Sequence, residues 1–394
     1  MRSNSHGQGP SQLISERSTH VLCVAVCCAV VLTAVLIASP LHAQTYQVIY
    51  NLNPAVDGSN PYGLTRDAAG NIIGVTGAQS PAHGSVFKLN LATRVLTTLH
   101  TFTGTPDGDN PVDPVVLDSA GDIYGTTRGG GANGLGAIFK IDSTGVETIL
   151  HSFNGTDGQI PNGLIRDTVG NMYGTTVSGG IGGSGVVFRV NKSGVEQTLY
   201  KFTGPDGAQP YAGVTRDPAG NLYGTTDTGG DFSKGTIFKL AADGTETVLH
   251  SFAGGANGNR PFAGVVLDSA GNLYGSTFAG GTGRLGTVFK LDTSGVFTVL
   301  INFSGANGEE PGELVMDAAG NIYGTTFKGG GPFDSGVVFK LDPSGTETVL
   351  HSFAGTPDGS YPAARLLLSR DGTVTGSTTQ GGSYGGGTLF RIKP

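Results

Sequence analysis

The side chains able to do chemistry are sparse in this sequence and recur by position. Beyond residue 43 the histidines are His83, His100, His151, His250 and His351. The last four share one repeated position, read as also held by Tyr50, Tyr200 and Asn302. A position that exchanges imidazole for phenol or amide so freely is not one on which acid–base work or metal ligation depends. No zinc-ligand spacing, nucleophile elbow or phosphate loop accompanies it. The pairs Gly129-Gly130, Gly179-Gly180 and Gly229-Gly230 are followed by no helical pattern whose dipole would hold a phosphate. Asp67, Asp118, Asp167, Asp217, Asp268 and Asp317 each precede a tight turn, with Ser369 in the seventh copy, and read as acceptors for turn amides. Asp57, Asp107, Asp157, Asp206, Asn257, Asn307 and Asp358 each precede a glycine, a pairing that tolerates positive φ in a turn. Asp107-Gly-Asp-Asn110, with Asp113 nearby, resembles the start of a calcium loop but lacks the later bidentate glutamate. No catalytic residue, metal or cofactor is expected.

Loops of unequal length and content carry a set of distinctive charges. They are Arg128, Asp227, Asp231, Lys234, Arg284, Lys328 and Asp334, within residues 128–135, 227–234, 278–285 and 327–335. Binding concentrates in variable loops on a repetitive frame. These seven are therefore the candidate ligand-binding residues, for a protein or glycan partner.

The frame that must position them is legible from a repeat. Gly220-Asn-Leu-Tyr-Gly-Thr-Thr226 has counterparts beginning at Gly70, Gly121, Gly170, Gly271, Gly320 and Gly372, spaced about fifty residues apart. Each unit holds four short runs rich in β-branched and aromatic residues, bounded by Gly, Pro, Asp or Asn, and no 3.6-residue period. Short turns between them allow only antiparallel pairing. The fold expected is all-β: a seven-bladed β-propeller of four-stranded antiparallel blades. The chain after residue 43 opens on a run, Tyr46–Leu52, that aligns with a fourth strand, and it ends on Gly387–Ile392, a third strand. The N-terminal strand is therefore expected to close the last blade and remove an open sheet edge. Phe87, Phe139, Phe188, Phe238, Phe289, Phe339 and Phe390 recur on third strands; Leu52, Phe102, Phe153, Phe202, Phe252, Phe303 and Phe353 recur on fourth strands. Both series read as core between blades.

Residues 1–43 read as a signal peptide. Arg2 and Arg17 precede an uncharged apolar run from Val21 to Ala38, and the small residue Ala43 suits cleavage before Gln44. The alternative is an uncleaved membrane tether, since eighteen such residues just reach the ~17–25 a spanning helix needs. All three cysteines lie inside that run, at Cys23, Cys27 and Cys28. Residues 44–394 then form one propeller domain without disulfides, secreted or periplasmic. With a formal net charge of −7 no basic surface points to nucleic acid. A monomer with no membrane contact after cleavage is expected.

The unit, including Gly271-Asn-Leu-Tyr-Gly, Gly286-Thr-Val-Phe-Lys-Leu291 and Thr346-Glu-Thr-Val-Leu-His-Ser-Phe353, resembles the GloVer tandem repeat over residues 46–394. The resemblance implies an exported bacterial propeller and brings no catalytic residues with it. Members of that group carry surface anchors; this sequence ends at Pro394 directly after a strand, so anchoring from that end is not expected. The function expected is a non-enzymatic binding scaffold acting through the variable loops of one face. The alternatives are an extracytoplasmic enzyme, a lyase or hydrolase acting on a sugar or lactone, or a structural envelope or matrix component. An enzyme is expected to break the repeat symmetry with titratable groups beside the channel, and no such cluster is visible along the chain. The absence of Trp weighs further against a polysaccharide-cleft enzyme.

Overall fold

The turn that opens each repeat explains its sequence. In Asp217-Pro-Ala-Gly-Asn221, one carboxylate oxygen of Asp217 accepts from the Asn221 backbone N–H at 2.9 Å. The other accepts from Asn221 Nδ2 at 2.6 Å and from the Tyr223 hydroxyl at 3.1 Å. The same set recurs around Asp167, Asp268 and Asp317. The Asp-x-x-Gly-Asn-x-Tyr spacing is thus one hydrogen-bonded unit joining the first strand of a blade to its second, and the aspartates are turn acceptors as expected.

The glycine inside Tyr-Gly-Thr-Thr has a different cause. At Gly74, Gly125, Gly174, Gly224, Gly275, Gly324 and Gly376 an added Cβ would lie 2.4–2.7 Å from the tip of the third-strand phenylalanine. The ring occupies the space a side chain would need. Each of these phenylalanines is fully buried. Edge-to-face pairs such as Phe102–Phe139 and Phe353–Phe390, both 5.1 Å apart, join the fourth strand of one blade to the third strand of the next. Leu52 takes the equivalent place against Phe87. The first Thr of the motif, or the serine replacing it, reaches across the blade boundary: Thr225 Oγ1 donates to the Ala263 carbonyl at 2.8 Å, and Ser377 Oγ to that of Pro61 at 2.8 Å.

A computed structural model describes residues 44–77 and 82–393. Residues 1–43, read from the sequence as a signal peptide ending at Ala43, lie outside the described residues. Seven four-stranded antiparallel sheets account for nearly all the described strands. The strands of a blade are named A to D from the channel outward. In blade 1 they are Pro61–Arg66, Ile72–Thr76, Ser85–Leu89 and Leu96–Thr101; in blade 4, Thr215–Arg216, Leu222–Thr226, Thr236–Leu240 and Glu246–Ser251. Blade 7 takes Leu367–Leu368, Val374–Thr378 and Thr388–Lys393 from the end of the chain and Thr45–Asn51 from its beginning. Thr45 lies opposite Lys393 and Val48 opposite Phe390. The ring is therefore closed by the N-terminal strand, and the fold is the all-β seven-bladed propeller expected. The register also corrects one alignment. Ile301 faces Val288 as His250 faces Ile237, so the residue at the histidine position of blade 5 is Ile301 and not Asn302.

Candidate functional site

Two residues per blade carry side chains to the face where strand B runs into strand C and strand D into the next strand A. One precedes the proline that opens strand A: Asn60, Asn110, Ile160, Gln209, Arg260, Glu310 and Tyr361. All seven are left-handed, with φ between 54° and 59°. For residues other than glycine this conformation is strained by about 1–2 kcal/mol, and a β-branched residue such as Ile160 is a marked outlier. The strain is held by backbone bonds. The Asn110 N–H donates to the His83 carbonyl at 2.9 Å, and the Asn110 carbonyl accepts from the Arg128 N–H at 3.2 Å. The second position stands at the end of strand B or just past it: Gly77, Arg128, Val177, Asp227, Phe278, Phe327 and Thr379. The backbone repeats at both positions while the side chain changes from blade to blade.

At the mouth of the channel half of these residues, Asn60, Gly77, Asn110, Arg128, Phe278, Glu310 and Phe327, border a cavity of about 490 Å³. Aromatic planes line one side: Tyr211 and Phe262 stack at 4.2 Å with 17° between rings, and Phe278 lies 6.0 Å from Phe262. Phe327 lines it from another side, backed by Tyr361 at 5.0 Å, and Tyr62 from a third. Deeper in the channel the innermost strands carry Gly63, Pro114, Gly163, Gly213 and Gly264, but blades 6 and 7 present Glu313 and Arg365, 4.0 Å apart. Asp113 sits beside them, in contact with solvent down the channel yet enclosed by protein. Its Oδ2 has no hydrogen-bond partner, and neither has Arg128 Nε. Burial pushes the Asp113 carboxyl up, against the pull of the Arg128 charge and the Gly163 N–H. Burial raises Glu313 as well, opposed by Arg365 and reinforced by the Asp113 charge. Burial also raises the Tyr62 hydroxyl.

The loop charges singled out in the sequence separate into three groups. Arg128 borders the cavity. Asp227 and Lys328 support its rim. Asp227 is buried and accepts from Arg260 Nε at 3.1 Å, which holds that guanidinium over the Phe278 ring. Lys328 Nζ donates to Glu310 at 3.1 Å. Asp231, Lys234, Arg284 and Asp334 stay on exposed loop tips. There Lys234 lies along Gly254 and Asp334 accepts from the Gly329 N–H at 2.8 Å. The structure does not bring these four to the cavity. The titratable cluster beside the channel, not visible along the chain, is present as Asp113, Glu313, Arg128 and Arg365. Its members come from blades far apart in sequence. The signal that could have found it is departure from the repeat: Glu313 and Arg365 stand where four other blades carry glycine.

Solved structures share this architecture at low identity. The extracellular domain of a protein described as a hybrid two-component system from B. thetaiotaomicron superposes with a TM-score of 0.58 at 10% identity, over 88% of this chain and 39% of that one. A one-component system's extracellular domain from the same organism gives 0.56 at 10%, over 88% of this chain and 40% of that one. This chain thus spans about two-fifths of either. A gluconolactonase from Xanthomonas campestris aligns over 91% of this chain and 92% of its own, with a TM-score of 0.47 and 14% identity. The two extracellular domains speak to the fold alone. No curated protein matches the chain. The family model of the Gloeobacter/Verrucomicrobia repeat, however, matches residues 35–217 and 161–390 and so reaches every blade. A unit with these turn aspartates, buried phenylalanines and closing strand, matched over that length, places the chain in the Gloeobacter/Verrucomicrobia repeat family.

Proposed function

We propose that this protein is an exported, non-enzymatic binding module that takes a neutral saccharide in the channel mouth. The observation that carries the reading is the pairing of unsatisfied groups of both kinds in one aromatic-lined cavity. Asp113 Oδ2 lacks a donor and Arg128 Nε lacks an acceptor, a few side chains from the stacked Tyr211 and Phe262. A sugar ring has apolar C–H faces that lie on aromatic planes, and each of its hydroxyls both donates and accepts. A cavity of this size with a few convergent polar groups is of the kind that binds small molecules. Its acids, Asp113, Glu310 and Glu313, are matched by Arg128, Arg365 and the Lys328 that bonds Glu310, so neither a strongly anionic nor a strongly cationic ligand is favoured. Export rests on the charged, apolar and small-residue order of residues 1–43.

A second reading has its own observation. Burial holds both Asp113 and Glu313 above the ordinary carboxylate range, which keeps a carboxyl protonated more readily, as a general acid needs. One experiment addresses both readings. The protein is recovered from the periplasmic or culture fraction, its first residue is read by N-terminal sequencing, and it is titrated with a panel of neutral oligosaccharides by calorimetry. Binding is expected, with Asp113→Ala, Arg128→Ala and Tyr211→Ala each weakening it at least about tenfold and Arg284→Ala leaving it unchanged. Binding insensitive to the first three variants, or none across the panel, overturns the reading. Release of cleaved or ring-opened product would favour the enzyme.

A further inference from the structure

The outer rim repeats a second arrangement, at the seams between blades. There the fourth-strand position of one blade, the residue before glycine in the following loop and the start of strand D in the next blade come together. Five of the seven seams fill this space with protein groups. Tyr50 donates to Asp57 at 3.1 Å, opposite Leu96. Tyr200 donates to Asp206 at 2.6 Å, opposite Glu246. His250 bonds Asn257 at 3.0 Å and stacks on Phe297 at 4.0 Å. At the Ile301 seam Asn307 Nδ2 donates to Glu347 at 2.8 Å. His351 bonds Asp358 and stacks on Tyr46 at 3.6 Å, with the Tyr46 hydroxyl on the Asp358 carbonyl.

The seams on either side of blade 2 differ. His100, Asp107 and Glu147 converge at one, and His151, Asp157 and Glu196 at the other. In each trio the ligand-capable atoms lie within 4.8 Å of one another. Two carboxylates face each other there with one imidazole, and at the second seam the Asn154 side-chain amide also donates to Asp157 Oδ2 at 3.0 Å. Each aspartate is oriented by its own loop: Asp107 accepts from Thr103 N–H at 3.0 Å and Asp157 from Asn154 N–H at 2.9 Å. Each imidazole is fixed edge-on against a buried phenylalanine, Phe102 or Phe153, at 4.8 Å. Glu147 Oε1 is buried without a partner, as are Glu246 Oε1 and Glu347 Oε1 at two of the other seams, while Glu196 Oε1 accepts from the Thr198 hydroxyl at 3.0 Å. What sets the blade 2 seams apart is the imidazole between two carboxylates.

The geometry points to two divalent-cation sites, one at each seam of blade 2, for a borderline ion such as Zn²⁺ held by one imidazole and two carboxylates. Donors about 2.0–2.2 Å from a common ion sit some 3.3–3.6 Å apart, so side-chain adjustment of about an ångström closes either trio. One nitrogen with two oxygens suits zinc or cobalt better than calcium, which takes six to eight oxygens. The oriented aspartates and fixed rings are the supporting contacts that such ligands need. Each ion would bridge adjacent blades, so binding would also stabilise the native ring.

The test is titration of the full chain with Zn²⁺ and Co²⁺ after chelator treatment and dialysis, reading bound ions per chain, the visible Co²⁺ absorption and the melting temperature. Glu147→Gln and Glu196→Gln preserve side-chain shape and leave the His–Asp contacts in place. Each is expected to bind one ion fewer than the parent chain or to weaken that ion at least about tenfold, with an additive loss in the double variant. His351→Gln, at a seam without the glutamate, is expected to leave the count unchanged. Circular dichroism confirms folding, and His100→Gln and His151→Gln give the same reading should a glutamate variant unfold. Equal ion counts and equal Co²⁺ spectra in parent and folded variants overturn the proposal, as does the absence of metal-induced stabilisation in the parent.

Discussion

At the scale of the residue, Glu246 shows how the outer seams handle charge without a cation. It faces Tyr200 and Asp206, and burial followed by the Asp206 charge pushes its carboxyl up to about 7. Between the ordinary carboxylate range and pH 7 the folded chain therefore keeps a proton that the unfolded chain has released. A native state that binds more protons loses stability as pH rises through that window. Glu246→Gln carries the neutral form permanently. The variant is expected to match the parent at pH 4 and to exceed it at pH 8, by on the order of 1 kcal/mol since the rim is partly screened by solvent. Urea midpoints at pH 4, 6 and 8 measure this; equal midpoints at pH 8 would show that no proton is held there. Residue roles were legible in the sequence when both partners were local. Asp217 and Asn221 are four positions apart, and the turn role follows from the spacing. Glu147 is forty positions from Asp107, on the next blade, so the histidine position looked interchangeable until the ring brought its third member alongside.

At the scale of the element, the second strand is shaped by the ring of the third. The Gly275 backbone lies so close to Phe289 that a Cβ would stand 2.5 Å from Cζ and 3.1 Å from both Cε atoms. Gly275→Ala overpacks a rigid seam and is expected to cost about 1–3 kcal/mol. In a Phe289→Leu background, where the ring tip is gone, the same alanine should cost markedly less. A double-mutant cycle on denaturation midpoints reads this coupling; additive costs would assign the glycine to backbone freedom instead. Gly295→Asn, in an open turn at φ 88° with nothing near the added Cβ, is the contrast: its cost of about 1–2 kcal/mol comes from the backbone alone and is expected not to couple to Phe289→Leu. The strands themselves were legible, since each alternates between turn formers and buried apolar residues. The ring of left-handed residues at Asn60, Asn110, Ile160, Gln209, Arg260, Glu310 and Tyr361 was not. A residue before proline is ordinarily pushed to extended backbone, and side chains as different as Ile, Arg and Tyr share no signal for positive φ. Charged loop residues stand out along the chain instead, and of the seven so marked only Arg128 borders the cavity.

At the scale of the whole molecule, the propeller depends on a strand contributed from the far end of the chain. Thr45–Asn51 pairs along Thr388–Lys393, and its neighbours tie it further. Tyr46 stacks on His351 of blade 6, Asn51 Oδ1 accepts from the Ser383 N–H at 2.9 Å, and Ile49 and Leu52 are 7% and 0% exposed in the core shared with blade 1. Removing residues 45–53 would strip blade 7 of its outer strand, uncover Phe390 and Leu389, and leave the third strand as an unpaired edge open to aggregation. Each large apolar side chain withdrawn from burial is worth about 1.5–3 kcal/mol, against a whole-domain stability of about 5–15 kcal/mol. Three such side chains, Tyr46, Ile49 and Leu52, therefore remove much of the margin before the lost backbone pairing is counted. The comparison variant should lose residues that hold nothing. Within residues 327–335, Phe327 and Lys328 belong to strand Ile322–Lys328 and Ser335 is buried, so the control deletes only the exposed tip at residues 331–333. The tip deletion is expected to shift the denaturation midpoint slightly. The N-terminal deletion should bring the midpoint close to zero denaturant or yield aggregated chain. If both deletions shift it equally, the first strand is an ornament on a ring that closes by other contacts.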